Sequence, residues 1–257
     1  MSKTLVEDAS RKGQEFSVGT ILRKIPYAVS IKRYLWRKLI VRHDKTAFLY
    51  HLKPNSRILD VGCGNDSPFN VKTVLPMCVY TGLDIGDYNQ SRPNLADSYI
   101  ITTPEQFPAA IYRFNESFDA VISTHNIEHC NERDKTIDAM LNAVRPGGQI
   151  FMTFPCEQSV GFPSRCGTLN YYDDPTHKGL PPDFDQLIRT IESHGFEIQF
   201  SAKNYTPFGL WVEGFIKEKQ SRLENCVFHP ATWAYYGFES VIQARRCDPK
   251  PKLSQLK

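Results

Sequence analysis

The chain has 257 residues, enough for one well-buried α/β domain with insertions and short for two complete cores. Its 31 basic and 28 acidic residues leave a formal net charge of +3, without the basic excess of a dedicated nucleic-acid binder, so a small-molecule partner is expected rather than a nucleic acid. No apolar run reaches the roughly 20 residues of a membrane span, and the polar Met1 to Gln14 lacks an apolar signal core, so a soluble, unexported, cytoplasmic protein is expected.

In chain order, a polar arm (1–30) precedes a helical region from Ile31 to Leu52. Leu35, Trp36, Leu39, Ile40, Phe48 and Leu49 form its apolar side, and Arg33, Arg37, Lys38 and Arg42 its polar side. That basic face reads as a solvated surface or as a seat for an anionic acceptor. Strands are predicted at Arg57 to Val61, Val79 to Ile85, Ser98 to Thr102, Phe118 to Thr124 and Gln149 to Phe154, short and apolar on both faces. Separated by helical spacers, they imply a parallel sheet covered on both sides.

The clearest spacer is Arg133 to Val144, where Ile137, Met140, Leu141 and Val144 recur at helical spacing after an Asn131 cap and before Pro146-Gly147-Gly148. A second helix, Asp183 to His194, stops at Gly195 and leads into a strand from Phe196 to Ala202. Phe238 to Ala244 is the last predicted strand. Two connections, 156–182 and 204–235, are too long for simple crossovers and read as functional lids or surface padding. The domain therefore spans 31–246 with those insertions, followed by a flexible tail at 247–257. The seven cysteines, Cys63, Cys78, Cys130, Cys156, Cys166, Cys226 and Cys247, are odd in number and without C-x-x-C spacing. They read as reduced thiols.

Chemistry concentrates in Arg57-Ile-Leu-Asp-Val-Gly-Cys-Gly-Asn-Asp66, a buried strand entering a turn. Gly62 and Gly64 let a ligand approach the main chain. The third Gly of a dinucleotide fingerprint is missing, and Asp60 and Asp66 flank the turn, which disfavours a pyrophosphate and a dehydrogenase. Two carboxylates suit a ligand bearing an ammonium and a sulfonium, as S-adenosylmethionine does. About 20 residues on, Asp84 ends a strand where an acid accepts hydrogen bonds from ribose hydroxyls.

These segments resemble the class I S-adenosylmethionine-dependent methyltransferases. The resemblance rests on Ile58-Leu-Asp-Val-Gly-Cys-Gly64, Gly82-Leu-Asp84, Phe118-Asp-Ala-Val-Ile-Ser-Thr-His-Asn-Ile-Glu-His129 and Arg145-Pro-Gly-Gly148. It implies a Rossmann-like fold, a doubly wound, seven-stranded, mostly parallel sheet with an antiparallel last strand. It also implies S-adenosyl-L-methionine as cofactor, with Asp60, Gly62, Gly64, Asp84 and Ile85 around the methionine and ribose. Thr102, Thr103 and Glu105 would lie near the adenine, and Thr124 and His125 beneath the sulfonium.

A hydroxyl acceptor needs a proton acceptor beside it. Tyr171-Tyr-Asp-Asp-Pro-Thr-His177 supplies the richest cluster: His177 as general base, Asp173 or Asp174 to orient it, and His125 as the rival base. His129 reads as structural, and His177 in a turn can also simply bridge backbone groups. Asp173, Asp174 and His177 could also ligate a divalent metal, but one loop without further ligands is thin, and no metal is expected. The Asp-Pro-Thr-His pattern is similar to methyltransferases acting on sugars, lipids and other small metabolites, which makes O-methylation of a sugar or glycan the leading expectation. N- or C-methylation of a small metabolite, and a catalytically silent cofactor-binding partner subunit, stay open. A homo-oligomer is compatible with all three.

Overall fold

The computed structural model describes residues 43–88 and 91–248. The polar arm, the basic face formed by Arg33, Arg37, Lys38 and Arg42, and nearly all of the tail lie outside them. The strands are β1 (Arg57–Val61), β2 (Val79–Asp84), β3 (Ser98–Ile101), β4 (Phe118–Thr124), β5 (Val144–Pro155), β6 (Phe196–Ala202) and β7 (Glu239–Arg246). They form one seven-stranded sheet in the order β3-β2-β1-β4-β5-β7-β6. β1 to β5 pair in parallel, while β7 runs antiparallel to both β5 and β6. This is the doubly wound α/β sheet expected from the sequence.

The helices are α1 (Lys45–Tyr50), α2 (Ser67–Val74), α3 (Phe107–Tyr112), α4 (Arg133–Ala143), α5 (Phe184–Ser193), α6 (Phe208–Glu224) and α7 (Ala231–Tyr236). Strand side chains alternate between faces, so β1 feeds two cores. Leu59 and Val61 join Leu83, Val121, Ile150 and Met152 against α3, α4 and α5. Ile58 joins Tyr80, Ile122 and Phe151 against Phe48 and Leu49 of α1 and Val71 of α2. The same alternation turns Asp60 toward the α1–α2 side.

Element boundaries differ from those expected where strand pairing overrides local turn signals. β5 starts at Val144 because Phe118 pairs with Val144 before the register shifts to Ala120 and Gln149, so the Pro-Gly-Gly turn is a bulge within the strand. Glu132, not Asn131, precedes α4, and no side chain caps that helix. Asp183 does cap α5 by accepting the Gln186 N–H. The insertion 204–235 is helical, made of the 17-residue α6 and the shorter α7. Sequence reading missed α6 because Phe208, Phe215, Ile216 and Leu223 are exposed, so its apolar residues do not trace a buried face.

Candidate functional site

The strand order reverses between β1 and β4, which opens a crevice at their carboxyl ends, where α/β sheets bind ligands. A cavity of about 640 Å³ fills it, lined by Gly62, Gly64, Asp84, Ile85, Tyr88, Phe107, Thr124, His125, Asn126 and His129, among others. A second cavity, of about 450 Å³, adjoins it and shares Thr124 and His125. Its walls include Lys45, Phe151, Thr153, Tyr205, His229, Trp233 and Glu239.

Asp84 ends β2 with its carboxylate fixed from both sides: Oδ2 accepts the Gly64 N–H at 2.7 Å and Oδ1 its neighbour Ile85's N–H at 2.7 Å. Burial raises its pKa, and the two N–H groups work against that rise. Gly64, at φ 54°, would place a Cβ in open space, whereas a Cβ on Gly62 would meet the Asn126 side chain at 2.3 Å. The two glycines therefore serve different ends, a bare cavity floor at Gly64 and room for Asn126 at Gly62.

Several expected residues take other places. Asp60 is fully buried and does not line either cavity. Its Oδ2 accepts from Lys45 at 2.8 Å, Ser67 at 2.6 Å and Tyr80 at 2.9 Å, so its charge is answered from the α1–α2 side. Asp66 accepts from the Ser91 hydroxyl and the Arg92 N–H and lines neither cavity. Thr102 extends β3 by donating its N–H to the Asp84 carbonyl at 2.9 Å. Neither it nor Thr103 nor the exposed Glu105 lines the larger cavity, where Pro104 and Phe107 stand instead.

His125 sits at φ 48° between the cavities with both ring nitrogens on carboxylates, Nδ1 on Glu128 at 3.2 Å and Nε2 on Glu239 at 3.0 Å. Burial alone would lower its pKa, but the two carboxylates outweigh it and raise the imidazole to about 10. A histidine held protonated cannot accept the acceptor's proton, so the structure disfavours His125 as the rival base.

His177 stacks on Tyr171 with ring centroids 4.4 Å apart and donates Nδ1–H to the Tyr171 carbonyl at 2.6 Å. Burial lowers its pKa, against the pull of that carbonyl. It lines neither cavity but faces His129, with centroids 4.8 Å apart. Asp174 accepts from Thr176 at 2.6 Å and so orients Thr176 and, through it, His129, rather than His177. Asp173 caps its own turn, accepting the N–H groups of Arg165, Leu169 and Asn170.

Sequence reasoning did not single out Glu128, Glu239, His229 or Trp233. Glu128 was legible inside the Ile127-Glu-His129 segment, but its partner Glu239 is 111 positions away in sequence, and only the pairing of β7 with β5 brings it there. His229 and Trp233 ride on the insertion whose helices went unrecognised.

Residues 31–199 match the family described as a methyltransferase domain. The chain belongs to that family, which implies S-adenosylmethionine as its cofactor. Among curated relatives, a ubiquinone biosynthesis O-methyltransferase of Saccharophagus degradans is 32% identical over 104 residues, which cover 38% of this chain and 42% of that protein. A tRNA (carboxymethyluridine(34)-5-O)-methyltransferase of Arabidopsis thaliana is 29% identical over 138 residues, covering 50% of this chain and 30% of its own length. The match thus spans less than half of each of these relatives. Among solved structures, a candidate sarcosine dimethylglycine methyltransferase from Galdieria sulphuraria superposes with a TM-score of 0.54 at 14% identity, covering 86% of this chain and 87% of that one, a likeness of fold. No described helix is long and apolar enough to cross a membrane.

Proposed function

We propose that this protein transfers a methyl group from S-adenosylmethionine to a hydroxyl of a small acceptor. The observation that carries the reading is the pair of adjoining cavities, both within the size range of small-molecule sites, meeting at Thr124 and His125. The larger one fits the cofactor. The bare Gly64 floor admits a ligand against the main chain, and each Asp84 oxygen, already holding one N–H, keeps a further lone pair for a ribose hydroxyl. When bound, the cofactor supplies an electrophilic methyl group.

The second cavity has the character of an acceptor site. Phe151, Tyr205 and Trp233 give it flat apolar walls, while the Thr153 hydroxyl is buried without a hydrogen-bond partner among the described residues. That combination favours a ring with hydroxyl groups, a sugar or a phenol. A partner's hydroxyl would satisfy Thr153. The relative named as an O-methyltransferase of ubiquinone biosynthesis is consistent with oxygen as the methylated atom. On this reading the 204–235 insertion is the acceptor-side wall, since Tyr205, Leu210, His229 and Trp233 come from it.

His229 takes the role of proton acceptor in place of His177. It lines the acceptor cavity, and its surroundings followed by the positive charge of His125 lower its pKa, with Glu239 opposing. A neutral imidazole there can take a proton near pH 7. His125 contributes a fixed positive charge at the junction, and Thr124 a hydroxyl-bearing side chain common to both cavities.

The test is an acceptor screen with sugars, phenols and amines that reads S-adenosylhomocysteine release. Release with a hydroxylated ring is expected, with His229→Ala lowering turnover roughly 10²- to 10⁴-fold while cofactor affinity holds. Turnover on amines alone would assign the protein to N-methylation, and cofactor binding without any turnover would make it a silent binding subunit. Either result overturns the proposal.

A further inference from the structure

We propose that Glu128, His129 and His177 form a binding site for a divalent transition-metal ion of the zinc, iron(II) or cobalt(II) kind. One potential ligand atom from each lies within 4.8 Å of the others. They come from two segments: Glu128 and His129 from the 3₁₀ turn Ile127–His129 after β4, and His177 from the loop that follows the turn Tyr171–Asp173. Lys178 fastens the loop to the turn by donating its N–H to the Glu128 carbonyl at 2.8 Å.

Glu128 supplies the second, independent sign. Its side chain is 0% exposed, Oε1 faces His125, and Oε2 is buried with no hydrogen-bond partner among the described residues. A buried carboxylate oxygen left in that state is costly. A cation held with the two neighbouring imidazoles would answer it.

The far side of each ring is already fixed as ligand histidines require. The Thr176 hydroxyl gives its one proton to Asp174 at 2.6 Å and so accepts Nδ1–H of His129 at 2.9 Å. His177 gives Nδ1–H to a carbonyl. With Nδ1 engaged in this way, Nε2 is the ring atom each histidine has available as a ligand. Two imidazoles and one carboxylate match zinc and iron(II) sites, whereas magnesium and calcium take oxygen ligands. A tetrahedral shell with metal–nitrogen bonds of ~2.0 Å sets its ligand atoms ~3.3 Å apart, so binding must draw the three groups closer than the present spacing within 4.8 Å. Three protein ligands leave a coordination position for water or for an oxygen of a small molecule. Because His129 lines the larger cavity, that position adjoins the cofactor site.

The inference does not depend on the methyl-transfer reading, and its test reads metal rather than turnover. The full-length protein, stripped with chelator, is titrated with Zn²⁺ by calorimetry and with Co²⁺ by visible absorption. One ion per chain is expected, with a Co²⁺ band of low coordination number. His177→Ala should lose at least ~100-fold in affinity. Thr176→Val, which removes no ligand, should lose ~10- to 100-fold, the size of the loss when a ligand histidine is deprived of the group that holds its ring. A Zn²⁺-dependent rise in melting temperature in the wild type, absent from His177→Ala, shows the same linkage in a protein that stays folded. Wild-type affinity in His177→Ala, or no stoichiometric binding by the parent chain, overturns the site.

Discussion

Gly62 and Gly64 share positive φ, at 71° and 54°, yet their surroundings assign them opposite sensitivities. Alanine at either position costs roughly 1–2 kcal/mol for the left-handed backbone. At Gly62 the methyl also meets Asn126 at 2.3 Å, so Gly62→Ala should lower the melting temperature well beyond Gly64→Ala. At Gly64 the methyl enters the cavity instead, so Gly64→Ala should remain folded and lose cofactor affinity. Thermal melts and calorimetry on the two variants check this, and equal stability loss at both would refute the division of labour. The sequence identified both glycines as special because a turn after a buried strand demands them. It could not separate them, since Asn126 lies 64 positions from Gly62. In the same way the count of acids around the turn missed that strand alternation carries Asp60 to Lys45 on the far face of the sheet.

At the scale of elements, the parallel strands were legible because burial on both faces leaves continuous apolar runs, and α4 and α5 because their buried residues recur at helical spacing. α6 was not, and Gly214 shows what its sequence encodes instead. A Cβ there would lie 2.2 Å from the Ala231 carbonyl oxygen, so the glycine exists to let α6 and α7 approach closely. Helix propensity alone would make Gly214→Ala stabilising by ~1 kcal/mol. Overpacking of this kind costs roughly 1–3 kcal/mol, and because the clash is with backbone it should win. Gly214→Ala is therefore expected to lower stability in urea unfolding, and also to weaken acceptor binding because α7 carries Trp233. A more stable variant would mean that the α6–α7 contact yields freely.

Across the whole molecule, the two insertions are not separate lids but one cap over the sheet's carboxyl edge. Cys166 donates its N–H to the Asn225 carbonyl at 3.0 Å and accepts the Val227 N–H at 2.9 Å, and Trp233 donates Nε1–H to the Thr168 carbonyl at 2.7 Å. The charged fastening is Arg165 from the first insertion against Glu218 of α6, a bidentate pair at 3.0 and 2.8 Å, with side chains 3% and 9% exposed. Tyr236 of α7 and Arg222 also donate to Glu218. Burial pushes the Glu218 carboxyl up, but hydrogen bonds from Arg165, Tyr236 and Arg222 outweigh it and bring its pKa from 4.5 to about 2. A carboxyl depressed in the folded state stabilises fully above its unfolded pKa and loses that contribution as pH falls through the folded one. The wild type should thus lose stability between about pH 4.5 and pH 2, in addition to the general acid sensitivity of its other carboxylates. Glu218→Gln leaves the Arg165 charge buried without its partner, which costs roughly 3–5 kcal/mol at neutral pH. Protonation of Glu218 removes the same charge from the wild type, so the stability gap between the two proteins should close toward pH 2. Urea unfolding of both at pH 7, 4.5, 3 and 2.5 measures that gap directly. A gap that stays constant across the series would show that the cap is held by its apolar contacts and backbone bridges, with the Arg165–Glu218 pair contributing no pH-dependent stability.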